Sequence, residues 1–83
     1  MRAAVEISFY PLTAEYRPPI QAFIDRLNTY PDLRVETNAL STQIWGTLDR
    51  VMSILAAEMA RAARPDLQPV FVLKVLPGLG SPA

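Results

Sequence analysis

A run of polar side chains occupies residues 37–43, between two segments of strand-like sequence. Within this polar run, Asn38, Ser41, Thr42 and Gln43 can each donate and accept hydrogen bonds. The chain contains no His and no Cys, so imidazole bases, thiol nucleophiles and the commonest transition-metal ligands are missing. These residue types favour hydrogen-bonded recognition of a small molecule over catalysis.

A second group of polar candidates lies near the N-terminus. Residues 4–10 alternate between apolar and polar side chains, which is the signature of a half-buried strand. The polar side of this strand carries Glu6, Ser8 and Tyr10. Similar alternation predicts further strands over residues 33–38, 42–46 and 69–76.

Two helices are predicted between these strands. The Pro18-Pro19 pair is typical of a helix start and predicts a first helix from about Pro19 to Asn28. Thr47 can cap a second helix with its hydroxyl, and Pro65 ends it. The apolar stripe of the second helix is predicted to comprise Leu48, Val51, Met52, Leu55 and Met59.

The resulting order βαββαβ predicts an α+β fold of the ferredoxin-like type. Its antiparallel sheet has the strand order 4-1-3-2, with both helices on one face. Glu6, Ser8 and Tyr10 should then lie on the helix-free face, beside residues 43, 45 and 74. We expect one domain over residues 1–77, because 83 residues cannot build a second core, and a flexible C-terminal tail over residues 78–83.

The composition of the chain limits the kinds of binding partner that we expect. Eight basic residues balance eight acidic ones without clustering, so we expect no nucleic-acid binding. No apolar run approaches the ~20 residues of a membrane span, so we expect no membrane association and a cytoplasmic location. Tyr10, Trp45, Val70 and Val72 are predicted to lie bare on the helix-free face, which predicts a homo-oligomer, dimeric or tetrameric, formed through sheet faces or edges.

Three segments resemble the YkoF-like thiamine-binding protein family: residues 5–12 (VEISFYPL), residues 37–46 (TNALSTQIWG) and Val51-Met52. The likeness extends over nearly the whole chain in order and spacing. It implies a ferredoxin-like domain that binds thiamine or its hydroxymethylpyrimidine moiety, uses no cofactor and catalyses no reaction. Leu40 stands where the family commonly has Met, a change of similar volume. Some family members carry two repeats, so a site between repeats would here form between chains.

The resemblance implies a ligand site at a sheet or subunit interface, formed by Glu6, Ser8, Tyr10, Asn38, Ser41, Thr42, Gln43 and Trp45. An aminopyrimidine has a flat aromatic face and an edge of donors and acceptors. Tyr10 or Trp45 could stack on that face, Glu6 could accept from the exocyclic amine, and the polar run could bind the edge.

Structural roles remain open for several of these residues. Glu6 could pair with Lys74, Thr42 could serve strand pairing only, and Trp45 could be an interface anchor. Ser41 could simply form the turn, and Gln43 could satisfy neighbouring backbone at a subunit contact.

Two other functions also remain open. One is a small cofactor-free enzyme of ferredoxin-like fold, with Glu6 or Tyr10 as acid or base. Glu6 and Glu36 are predicted to lie two strands apart, too distant for a coupled carboxylate pair, which counts against the enzyme. The other is a module that only oligomerises.

Overall fold

The helices and strands follow one another in the predicted order. The computed structural model describes residues 1–79, with the elements β1 (Arg2–Tyr10), α1 (Arg17–Leu27), β2 (Arg34–Thr37), β3 (Thr42–Thr47), α2 (Leu48–Ala62) and β4 (Val70–Pro77). All strand pairs are antiparallel, in the sheet order β2-β3-β1-β4. This is the predicted order 4-1-3-2 read from the opposite edge, so the ferredoxin-like α+β fold is confirmed. Residues 80–83 of the predicted tail lie outside the described residues.

The two faces of the sheet also follow the predicted alternation. Val5 and Ile7 of β1 are buried against Ile44 of β3 and against Phe23 and Leu27 of α1. Burial of such aliphatic and aromatic side chains is the main favourable contribution to folding. Both helices pack on this face, and the opposite face of the sheet carries Glu6 and its neighbours.

The helix boundaries differ from the prediction. Helix α1 begins at Arg17, two residues early, because Pro18 and Pro19 fit in a first turn that needs no amide hydrogens. Thr47 is the N-cap of α2, but its hydroxyl makes no capping hydrogen bond, so that part of the prediction is wrong. The Leu48 amide instead donates to the backbone carbonyl of Met1 at 2.9 Å.

The buried face of α2 is rotated from the predicted stripe. Val51, Ile54 and Leu55 are at most 2% exposed, whereas Met52 is 37% exposed, so its predicted place in the core is wrong. Glu58, on the same buried face, is only 1% exposed. The apolar stripe alone does not reveal this face, because the charged Glu58 interrupts it.

Glu58 joins the two helices. Its carboxylate accepts hydrogen bonds from Arg26 Nε and from the Tyr30 hydroxyl, both at 2.6 Å. Burial by itself raises the pKa of Glu58, but the hydrogen bonds from Tyr30 and Arg26 and the nearby charge of Arg61 outweigh burial and lower the pKa overall. The same bond to Glu58 raises the pKa of Tyr30. This ionic cluster fixes α1 relative to α2.

Neither helix in residues 1–79 is long and apolar enough to cross a membrane.

Candidate ligand-binding site

The sheet ends unevenly beside the polar run. Strand β1 pairs with β4 as far as Tyr10, opposite Val70. Its pairing with β3 ends earlier, at Ile7 opposite Thr42. Residues 8–10 therefore have a neighbouring strand on one side only. The space on the other side is a notch between β1, α1 and the polar run.

A cavity of about 220 Å³ occupies this notch. Its lining comes from β1, α1 and the polar run, and comprises Ile7, Ser8, Phe9, Tyr10, Ile20, Phe23, Ile24 and residues 37–42. For scale, a cavity of about 150 Å³ in a protein core can bind benzene. The notch therefore has room for one six-membered ring with small substituents.

The apolar wall of the cavity is held by an aromatic cluster. The ring of Phe9 lies 5.3 Å from Phe23 and 4.5 Å from Phe71, measured between centroids. Phe23 is itself 5.2 Å from Phe71, so each ring touches the other two. Aromatic pairs at these separations attract each other beyond simple area burial. The wall is thus a packed surface suited to a flat apolar ring face.

The polar wall is fixed by the turn of the polar run. The Asn38 side-chain oxygen accepts from the amides of Leu40 and Ser41, at 2.8 and 3.2 Å. The backbone N–H of Asn38 in turn donates to the backbone carbonyl of Ser41 at 3.0 Å. This is the side-chain turn for which Asn is favoured. These hydrogen bonds fix Asn38 and Ser41, which line the cavity, before any ligand arrives.

A chain of hydrogen bonds leads from the turn to Glu6. Asn38 Nδ2 donates to Gln43 Oε1 at 3.2 Å, and Gln43 Nε2 donates to Ser41 Oγ at 2.7 Å. Ser41 Oγ then donates to Glu6 Oε2 at 3.0 Å. Lys74 Nζ lies 3.6 Å from the other carboxylate oxygen. We call these five residues the Glu6 network. Each hydrogen bond of the series from Asn38 to Glu6 is donated in the direction of the Glu6 carboxylate, so the bonds reinforce one another.

The structure brings most of the predicted site residues together. Five of the eight line the cavity: Ser8, Tyr10, Asn38, Ser41 and Thr42. Glu6 and Gln43 do not line it. They lie on the helix-free face and hold Ser41 through the Glu6 network. Ser41 lines the cavity and belongs to the network, so it connects the two.

Trp45 lies apart from these residues. It pairs with Ala4, four positions from Ser8 along β1, or roughly 13 Å at the usual rise of a strand. Trp45 is on the helix-free face as predicted, but it is only 8% exposed, so the prediction that it lies bare is wrong. Its indole N–H is buried and finds no acceptor among residues 1–79. This placement offers no stacking surface to the cavity.

Thr42 points to the helix side of the sheet. It is 6% exposed, and its hydroxyl is 3.0 Å from that of Thr37, which also lines the cavity. Thr37 belongs to the polar run but is not among the predicted site residues, because its alternation places it on the helix side of the sheet as a candidate core threonine. The sequence does not predict that Ile20 and Ile24 line the cavity, because the periodicity of α1 shows which side of the helix is apolar but not where the helix packs on the sheet.

The described residues hold no group of three or more acidic side chains arranged for a metal ion. The polar atoms of the cavity are hydroxyls, side-chain amides and backbone groups. Such a lining can bind a neutral polar ring by hydrogen bonding.

Comparison with known proteins identifies the fold. No family model and no curated protein matches the chain. Among solved structures, a Streptococcus pneumoniae protein superimposes with a TM-score of 0.84 at 22% identity, covering 94% of this chain and 88% of the other. A Thermotoga maritima protein named a "putative thiamine biosynthesis/salvage protein" gives 0.80 at 15% identity, with 92% and 83% covered. A hypothetical protein of Methanocaldococcus jannascii gives 0.77 at 28% identity, with 89% and 77% covered.

The chain shares the fold of these structures over most of its length. The likeness agrees with the ferredoxin-like fold that the resemblance to the YkoF-like family implies.

Proposed function

We propose that this protein binds thiamine or its hydroxymethylpyrimidine moiety in the notch at the end of β1, as a carrier or sensor that leaves its ligand unchanged. The observation that carries the proposal is the cavity itself. It joins an aromatic wall at Phe9 and Phe23 to the hydrogen-bonding groups of Asn38 and Ser41, in a volume suited to one ring. The resemblance to the YkoF-like family and the name of the Thermotoga protein support this ligand class.

The volume also suggests how thiamine would be oriented. About 220 Å³ is room for the pyrimidine, and we place the thiazolium at the mouth, where the notch opens to solvent. Tyr10 lines the cavity and is 51% exposed, which puts a phenol ring at the boundary with solvent. A cation over such a ring gains about 0.5–1 kcal/mol at an exposed site. Binding would thus use Tyr10 for the cation and the notch for the pyrimidine.

The assembly is part of the proposal. Four apolar side chains are more than 40% exposed on the helix-free side of β1 and β4: Tyr10, Val70, Val72 and Leu76. We call them the apolar patch. Apolar side chains that are exposed together on one sheet face are commonly covered by another chain. We therefore propose a cytoplasmic homo-oligomer joined through this face, with Tyr10 placing the cavity mouth beside the subunit contact.

A ligand-induced stability measurement tests the proposal. A ligand that binds only the native state adds about 2.7 kcal/mol at a hundredfold excess over its dissociation constant. We expect thiamine and free hydroxymethylpyrimidine to raise the melting temperature in a saturable way. An absence of any shift with both compounds would favour a module that only oligomerises.

A cavity-blocking variant shows whether the notch is responsible. Ile20 lines the cavity, whereas Gln21, the next residue of α1, is exposed and does not line it. We expect Ile20→Trp to abolish the thiamine-induced shift and Gln21→Trp to preserve it. An equal shift in both variants would move the site elsewhere.

A further inference from the structure

We propose that the backbone of Phe9 binds the edge of the ligand ring with a pair of hydrogen bonds, and that this pair selects 4-aminopyrimidines over 4-oxopyrimidines. The inference rests on the proposed function and assigns its specificity to a backbone group. No side chain of the predicted site is required for this discrimination.

The direction of the Phe9 backbone follows from two hydrogen bonds at the start of β1. The N–H and C=O of one strand residue point to the same neighbour, and successive residues alternate between neighbours. The Arg2 carbonyl accepts from Gly78, which follows β4, at 2.7 Å. The Met1 carbonyl accepts from Leu48, which follows β3, at 2.9 Å. Even-numbered residues therefore face β4, and odd-numbered residues face β3.

This alternation holds as far as Phe9. The pairing of β1 with β4 is continuous from Ala3 to Tyr10, with no bulge to reverse it. The N–H and C=O of Phe9 thus point away from β4, into the notch. Phe9 lines the cavity, which agrees with this direction.

The polar run does not supply the missing partner. Ladder pairing with β3 stops at Ile7 opposite Thr42, so the next partner in register, opposite Phe9, would be Leu40. The amide of Leu40 instead donates to the Asn38 side chain at 2.8 Å. It is therefore directed away from the Phe9 carbonyl. Strand backbone groups that face a partly enclosed space require a partner.

A 4-aminopyrimidine supplies the matching groups. Its ring nitrogen N3 accepts a hydrogen bond, and the adjacent 4-amino group donates one. This is the same acceptor and donor pair that a neighbouring strand would offer to Phe9. The ring would thus continue the ladder of β1 at the position where β3 is absent, with one face towards the aromatic wall and its far edge towards the polar run.

Replacing the 4-amino group by oxygen reverses both partners. The 4-oxo ring carries a hydrogen on N3, which would face the Phe9 N–H, and its oxygen would face the Phe9 carbonyl. Two buried groups would lose their bonds and face like partners. Sites built around hydrogen bonds reject such mismatched ligands strongly, so we expect a loss of affinity of about a hundredfold or more.

Calorimetric titration with three related ligands tests the inference. The ligands are thiamine, its 4-oxo analogue oxythiamine, and pyrithiamine, which keeps the aminopyrimidine but carries a pyridinium in place of the thiazolium. We expect pyrithiamine to bind within a few-fold of thiamine and oxythiamine to bind about a hundredfold more weakly. Equal affinities for thiamine and oxythiamine would overturn the inference and leave the proposed function standing. Failure of all three to bind would overturn both.

Side-chain variants separate backbone from side-chain recognition. Ser41→Ala and Asn38→Ala each remove a polar side chain that lines the cavity. We expect both to weaken thiamine binding while the ratio of thiamine to oxythiamine affinity stays high. If that ratio falls to near one in either variant, the side chain, and not Phe9, reads the 4-amino group.

Discussion

At the scale of single residues, Glu6 shows how a side chain outside the cavity can control it. Its carboxylate holds Ser41 Oγ at 3.0 Å and has Lys74 at 3.6 Å, and 41% of its side chain is exposed. Ser41 lines the cavity, so Glu6 positions a cavity-lining group although it does not line the cavity itself. The predicted pairing with Lys74 is therefore present, whereas the direct ligand contact of Glu6 stays a prediction.

Glu6→Gln tests this positioning. The substitution keeps the size but removes the charge that anchors the Glu6 network. We expect thiamine affinity to fall about three- to tenfold, because hydrogen bonds to charged groups are worth more than neutral ones. The free energy of unfolding should change by less than about 1 kcal/mol, as is usual for exposed ion pairs.

Glu36→Gln is the matched control. Glu36 lies on the same face of the sheet, on the other side of Gln43, and its carboxylate binds Arg34 at 2.7 Å. We expect this variant to bind thiamine like the wild type. A normal thiamine-induced melting shift in Glu6→Gln, or an equal loss in both variants, would exclude the positioning role.

At the scale of helices and strands, the notch depends on how α1 is docked. Ile20, Phe23 and Ile24 of α1 form one wall, and the Glu58 cluster ties the end of this helix to α2. Arg26 is 26% exposed at the side chain, whereas Glu58 is almost fully buried. Losing the carboxylate would leave Arg26 and Tyr30 without their shared acceptor.

Glu58→Gln is predicted to weaken this docking. We expect the free energy of unfolding to fall by about 2 kcal/mol at pH 7, within the range for hydrogen bonds to charged groups. Urea denaturation measures the change. Tyr30→Phe should be milder, and the two substitutions should be less than additive because they remove the same contact. Full additivity would show that the hydrogen bond contributes nothing.

The pH dependence of stability gives an independent check on Glu58. Its pKa is lowered by folding, so the unfolded chain binds a proton more readily than the native one. The stabilisation is therefore fully present above the ordinary glutamate pKa of about 4.3, and it is lost as pH falls through the lower native pKa. The stability difference between wild type and Glu58→Gln should shrink from pH 7 to pH 3. A constant difference would contradict this.

The sequence predicted regular features well and irregular ones poorly. Alternation placed Val5 and Glu6 on opposite faces because a strand has a fixed period of two. The apolar periodicity of α2 did not reveal that Met52 is exposed, because the buried face of α2 includes a charged residue, Glu58, that pairs with Arg26 of α1. The same holds for the site. The polar run was found from its composition. The notch exists because β3 begins at Thr42, opposite Ile7, while β1 continues to Tyr10.

At the scale of the whole molecule, the helix-free face is the surface that the chain leaves uncovered. Val72 is 56% exposed in the middle of β4, opposite Ser8. β4 is an edge strand, and exposed apolar edges favour association. The proposed oligomer would cover this surface and bring Tyr10 of one chain close to a second chain.

Val72→Glu is expected to disrupt the oligomer. A charge buried in an apolar contact without a partner is strongly unfavourable. Light scattering after size exclusion should show a dimer or tetramer for the wild type and a monomer for Val72→Glu, with unchanged circular dichroism. Gln21→Glu, on an exposed position of α1, should assemble like the wild type. A monomeric wild type, or an oligomeric Val72→Glu, would refute assembly through the apolar patch.

The most direct test of the account is to map thiamine on the protein by amide chemical-shift perturbation during an NMR titration. The notch predicts that the largest saturable changes occur at Phe9 and in residues 38–42, with little change at Ala4 and Trp45. Perturbations centred on Trp45 and the far end of the helix-free face, or none at saturating thiamine, would contradict a pyrimidine site at the end of β1.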